Sequence, residues 1–138
     1  MILMNQVLSI LLIFTGVLMI YYWIEFFFRK GVQVTQEDWY IRFQKAFPVA
    51  DMWLAVCAFL GAIGLLTEQG FGLFFSMLAA SSLIFLALMD ITFNVQNNLY
   101  RLISTSNEMK LELAGNLGFL AVGIILIVYS WTRFALFS

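Results

Sequence analysis

The 138-residue sequence has no histidine, one cysteine, one proline, and only seven basic and eight acidic side chains. Each shortage closes a class of function. Without histidine there is no His-ligated metal or haem, and the usual acid–base group near neutral pH is missing. A single Cys57 excludes an internal disulfide, a CxxC redox pair and a thiolate cluster. In its setting "WLAVCAFLG" it reads as a small buried hydrophobe. A net charge of −1 offers no basic excess to neutralise phosphates, so nucleic acid is not an expected partner. No metal and no cofactor are expected.

What is abundant is apolar. Hydrophobic residues make up 63% of the chain, charged residues 11%, and mean hydropathy is +0.96. A soluble domain is closer to half apolar and a quarter charged. Four apolar runs approach or exceed the roughly 20 residues that cross a bilayer as helix. They cover about residues 2–28, 49–66, 71–102 and 113–131. The runs are continuous rather than alternating, which points to helices and not to barrel strands. The expected fold is therefore all-α: an integral membrane bundle of four transmembrane helices forming one domain over residues 1–138. The opening "MILMNQVLSILLIFTGVLMIYYW" has no basic n-region and no clear cleavage site, so it reads as a retained anchor.

The connections differ in kind. "TEQG" (Thr67 to Gly70) predicts a tight turn that makes spans two and three an antiparallel hairpin. Residues 29–47 form a longer, mixed connection. Thr35, with Asp38 three residues on, resembles a helix start. Trp39, Phe43 and Phe47 then recur every four residues, as in a short amphipathic helix lying on the membrane surface. Pro48 suits the first turn of the second span. Arg29, Lys30, Arg42 and Lys45 lie in the first connection and Arg101 and Lys110 in the third, against Arg133 alone at the other side. The positive-inside rule predicts both termini outside and both long connections in the cytoplasm, in a bacterial inner membrane. Tyr and Trp near the span borders are expected interface residues.

That topology brings polar residues of all four spans to one depth. Glu25 ends the first span, Asp51 begins the second, Asp90 and Asn94 lie at the end of the third, and Asn116 begins the fourth. Asp90, Asn94, Asn97 and Arg101 fall at i, i+4, i+7 and i+11, one stripe of a 3.6-residue helix, continued backward by Leu86, Leu83, Ala79 and Ser76. Asp51 shares a face with Ala55, Ala58 and Ala62, small residues that let helices approach closely in lipid. Glu25 shares one with Tyr22, Tyr21, Leu18 and Phe14, and Asn116 aligns with Leu120 and Gly123. The expected site is a pocket at the cytoplasmic end, with Asp90 as charge partner, Asn94, Asn97 and Asn116 as orienting amides, and Glu25, Asp51 and Tyr22 completing the wall. An acid at membrane depth costs roughly 2.5–3.5 kcal/mol on insertion scales, and such residues usually face the interior and act there.

Oxygens and amides suit a polar or cationic head, while the apolar helices above suit a tail. The first functional expectation is thus binding or transport of an amphipathic or cationic small molecule. The alternatives are a non-catalytic subunit of a larger membrane complex, locked by interhelical hydrogen bonds, and a lipid-modifying enzyme using a carboxylate acid–base pair. Expected partners are membrane lipid and a small amphipathic ligand. The small-residue faces also suit a homodimer or a larger complex.

The stretches "FPVADMWLA" (Phe47–Ala55) and "LLTEQGFGLFFSMLAASSLIFLALMDITFNVQNNLY" (Leu65–Tyr100) resemble a group of small bacterial four-helix membrane proteins without an assigned activity. The layout is also similar to the sterol-isomerase and sigma-2-receptor superfamily. That resemblance implies four or five membrane helices around an acidic pocket for cationic amphiphiles or sterols. The isomerase branch relies on a catalytic histidine, which this chain lacks.

Overall fold

The structure is a computed structural model that describes residues 2–136. Among these, every regular element is helical. The order is α1 (Ile2–Ile24), running on through a wider π turn (Glu25–Arg29), then α2 (Asp38–Gln44), α3 (Pro48–Leu66), α4 (Phe71–Gln96) and α5 (Asn107–Ala135). Four of these helical stretches are long and apolar enough to cross a membrane. The chain is a four-helix membrane bundle with a short fifth helix, α2, folded against one end.

Packing follows chain order. α1 packs on α3, α3 on α4 and α4 on α5 along their lengths, whereas α1 and α5 barely touch. Small residues permit the close pairs. A Cβ on Gly64 would lie 2.3 Å from Gly72 Cα, so the α3–α4 hairpin closes backbone on backbone. Ser9 Oγ donates to the Ala62 carbonyl at 3.2 Å and ties α1 to α3. The core runs through Leu8, Leu12, Leu54, Ala58, Ala62, Ala79, Leu83 and Leu126. The expected faces are buried: Ala55, Ala58 and Ala62 alongside Asp51, and Ser76, Ala79 and Leu83 below Asp90.

The "TEQG" turn is tight, as expected. Gln69 N–H donates to the Gly64 carbonyl at 2.8 Å and Glu68 N–H to the Leu65 carbonyl at 3.3 Å, with Glu68 at φ 55°. This is a helix-ending Schellman arrangement with Glu where glycine is usual.

The other helix ends differ from the sequence reading. α4 does not continue to residue 102. It stops at Gln96 because Asn98 takes a left-handed conformation (φ 54°), which asparagine tolerates better than most residues. A 3-10 turn (Leu99–Leu102) follows. α5 starts at Asn107, earlier than residue 113, with Ser106 as N-cap accepting from Met109 N–H at 3.1 Å. Glu37, not Thr35, precedes α2; Thr35 Oγ1 instead accepts from Glu37 N–H at 3.3 Å in a local turn. Pro48 occupies the first turn of α3, as expected.

The aromatic spacing of α2 does not mark its most buried face. Trp39 is exposed and Phe43 stacks on Phe93 of α4 at 3.6 Å. Tyr40 and Gln44, one turn apart, are the buried pair, and both turn toward the bundle end.

Candidate functional site

The end of the bundle bearing the two long connections holds a cavity of about 380 Å³. Its walls come from α1 (Leu18, Tyr22, Trp23), α4 (Leu83, Leu86, Ala87) and α5 (Gly115, Phe119), and most of that surface is apolar. Asp51, Asp90, Glu108, Glu112, Gln44 and Asn116 make its polar part.

Asp51, Asp90 and Glu112 are each held by a neutral donor from another helix, while Glu108 accepts from Ser106, the cap of its own helix, at 3.2 Å. Trp23 Nε1 of α1 donates to Asp51 Oδ2 of α3 at 2.7 Å. Asn116 Nδ2 of α5 donates to Asp90 Oδ2 of α4 at 2.8 Å, and Gln44 Nε2 of α2 reaches Asp90 Oδ1 at 3.4 Å. Asn94 Nδ2 donates to Glu112 Oε1 at 2.8 Å, and Tyr40 hydroxyl donates to Glu112 Oε2 at 3.2 Å. All five helices therefore contribute to one polar layer. Helical phase explains the set: Asp90 and Asn94 are one turn apart on α4, and so are Glu112 and Asn116 on α5. The two pairs face each other and exchange one amide for one acid in each direction.

The charge balance is uneven. Among the described residues the cavity wall carries no lysine or arginine. The two salt bridges among the described residues, Arg29–Glu25 at 3.1 Å and Arg42–Asp38, are both single-helix i,i+4 pairs outside the cavity wall. Glu112 has both oxygens bonded, but Trp23 occupies only one oxygen of Asp51. No group of three His, Cys, Asp or Glu among the described residues is arranged to hold a metal ion.

The sequence-predicted residues fall into three groups. Asp51, Asp90, Asn116 and Tyr22 line the cavity. Asn94 is fully buried behind it, holding Glu112, with its own Oδ1 unpartnered among the described residues. Glu25 and Asn97 stand apart. Glu25 pairs with Arg29 in the π turn. Asn97 is exposed and its Nδ2 donates to the Phe93 carbonyl of its own helix at 2.9 Å, because α4 ends before the stripe reaches it.

Glu112, Gln44, Tyr40 and Trp23 were not read from the sequence as site residues. Glu112 had a usable signal: Ser106 starts a helix well ahead of the apolar run, which places Glu112 one turn before Asn116 on the same face. Trp23 resembled an interface aromatic, and nothing local separates that role from a donor to a buried acid.

The fold and site define a four-span membrane protein with an apolar chamber and an interhelical layer of acids and amides at one end. Comparison with protein-family models, curated protein sequences and solved structures returned no match for this chain.

Proposed function

We propose that the protein binds or transports an amphipathic or cationic small molecule in this chamber. One observation carries the reading. An apolar cavity of about 380 Å³, within the range of ligand pockets, has Asp51 and Asp90 on its wall and, among the described residues, no basic side chain there to neutralise them. The tail of a ligand would lie against Leu18, Leu83, Leu86 and Phe119. Its head would meet Asp90 and Asp51, with Tyr22 and Trp23 offering aromatic faces to a cation. Asn116 and Gln44 would hold the Asp90 carboxylate in place.

The basic residues support an orientation for the chamber. Arg29, Lys30, Arg42, Lys45, Arg101 and Lys110 all belong to the chamber end, and Arg133 lies toward the other. By the positive-inside rule the chamber faces the cytoplasm, with both termini outside, which fits a bacterial inner membrane.

Native mass spectrometry after gentle extraction tests the binding reading. Wild type is expected to carry a small-molecule adduct that Asp90→Asn loses while remaining folded. A retained protein partner with no adduct in either form would instead favour a non-catalytic subunit of a larger complex. One observation favours that second reading: Gly118 on α5 has nothing within 4 Å of where its Cβ would stand, leaving room for a helix from outside.

A further inference from the structure

The four spans form an open ring rather than a closed one. α1–α3, α3–α4 and α4–α5 are packed pairs, and the α5–α1 side is the one left unclosed. At the far end that side is pinned: Tyr129 hydroxyl of α5 donates to Asn5 Oδ1 of α1 at 2.5 Å. At the chamber end it is open. Every exposed residue of the cavity wall belongs to these two helices: Tyr21 on α1, and Glu108, Leu111 and Ala114 on α5. The wall residues from α3 and α4 are buried or half-buried. Gly115 also lines the cavity, and a Cβ there would meet nothing within 4 Å, so at that position the α5 edge of the gap is bare backbone. The chamber thus opens sideways, across an edge of Tyr21, Leu111, Ala114 and Gly115, toward the space that lipid chains fill around a membrane helix.

We propose that the ligand is a single-tailed cationic amphiphile, a hydrocarbon chain with an amine or quaternary ammonium head, and that it enters from the bilayer through the gap between α1 and α5. This rests on the binding reading above and adds the ligand class and the route. Charge complementarity selects the head, since four acids (Asp51, Asp90, Glu108 and Glu112) and, among the described residues, no base line the chamber. The apolar edge selects the route, since a molecule already in the bilayer slides its tail between the helices without crossing water. Asn5–Tyr129 acts as the fixed end from which the two helices part.

Trp23 lies in the chamber wall and reports occupancy. The test uses the full chain with Trp39, Trp53 and Trp131 changed to Phe, reconstituted in phosphatidylcholine vesicles. The probe is an alkyltrimethylammonium with a brominated tail, which quenches tryptophan on contact. Saturable quenching of Trp23 is expected. Gly115→Phe should slow its onset by about tenfold by filling the gap. Gly118→Phe, on the same helix but outside the cavity wall, should not change it. In the same protein without probe, phosphatidylcholine brominated in its acyl chains should quench Trp23, and aqueous iodide should not.

The failures separate. Saturable quenching unchanged in Gly115→Phe, or iodide quenching in place of bromolipid quenching, overturns the lateral route and leaves the binding reading standing. Equal quenching by a brominated fatty acid overturns the cationic head. No saturable quenching by any amphiphile overturns the binding reading itself. Cross-linking that joins two copies through Gly115→Cys would show the gap covered by a second chain, which also overturns the route.

Discussion

The two ends of the bundle are built on opposite principles. At the end bearing the "TEQG" turn, α3 and α4 meet through Gly64 and Gly72 with no room for a side chain, and α1 and α5 are bridged by Asn5 and Tyr129. At the other end the same four helices part around a chamber, and what joins them is a layer of acids and amides. In lipid there is little hydrophobic drive between helices, so contact depends on small residues or on interhelical hydrogen bonds. Where it closes, this molecule relies on the first device for the α3–α4 pair and needs only the Asn5–Tyr129 bond between α1 and α5. It uses the second where it must stay open. A polar layer can hold helices at a distance that glycine packing cannot.

Substitutions at each end sharpen that contrast. Gly64→Leu places a side chain where the Gly72 backbone already stands, and overpacking of this kind should cost about 3 kcal/mol. Unfolding by sodium dodecyl sulfate in mixed micelles reads the loss, and an unchanged midpoint would mean the hairpin is not closed as described. Glu112→Ala at the open end leaves Asn94 Nδ2 and the Tyr40 hydroxyl buried without their acceptor, for about 2 kcal/mol. Glu112→Gln keeps an acceptor for one of them and should lose less in the same titration. If the two variants behave alike, the acceptor role of Glu112 is wrong. Tyr129→Phe removes one interhelical hydrogen bond and should cost only about 0.6 kcal/mol. The same titration reads it, and a loss as large as that of Glu112→Ala would mean that more than this one bond joins α1 to α5.

Much of this architecture was legible in the chain. Continuous apolar runs can satisfy their backbone in lipid only as helix, so span number follows from composition. Helical phase then assigned the faces beneath Asp51 and Asp90 correctly, since Ala55, Ala58 and Ala62, and Ser76, Ala79 and Leu83, are buried; it misassigned the face of Glu25, where Tyr21 and Phe14 are exposed. Phase failed where a helix ended. The stripe that joined Asp90 to Asn97 and Arg101 assumed five more residues of α4, and Asn98 breaks it at a position where the sequence "QNN" only shows polarity. Glu112 was missed for the converse reason: the apolar run begins after it, but the Ser106 cap starts the helix before it.

By itself the sequence determined the solvent, the number of spans and the inward faces of α3 and α4, because hydropathy and 3.6-residue periodicity are properties of one segment at a time. Only the tertiary structure decided the pairings. That Trp23 meets Asp51 across 28 positions, that Tyr40 reaches Glu112 across 72, and that α5 stops short of α1 depend on how separate helices lean on one another. The chamber lies between the helices, and no single segment encodes the space it leaves empty.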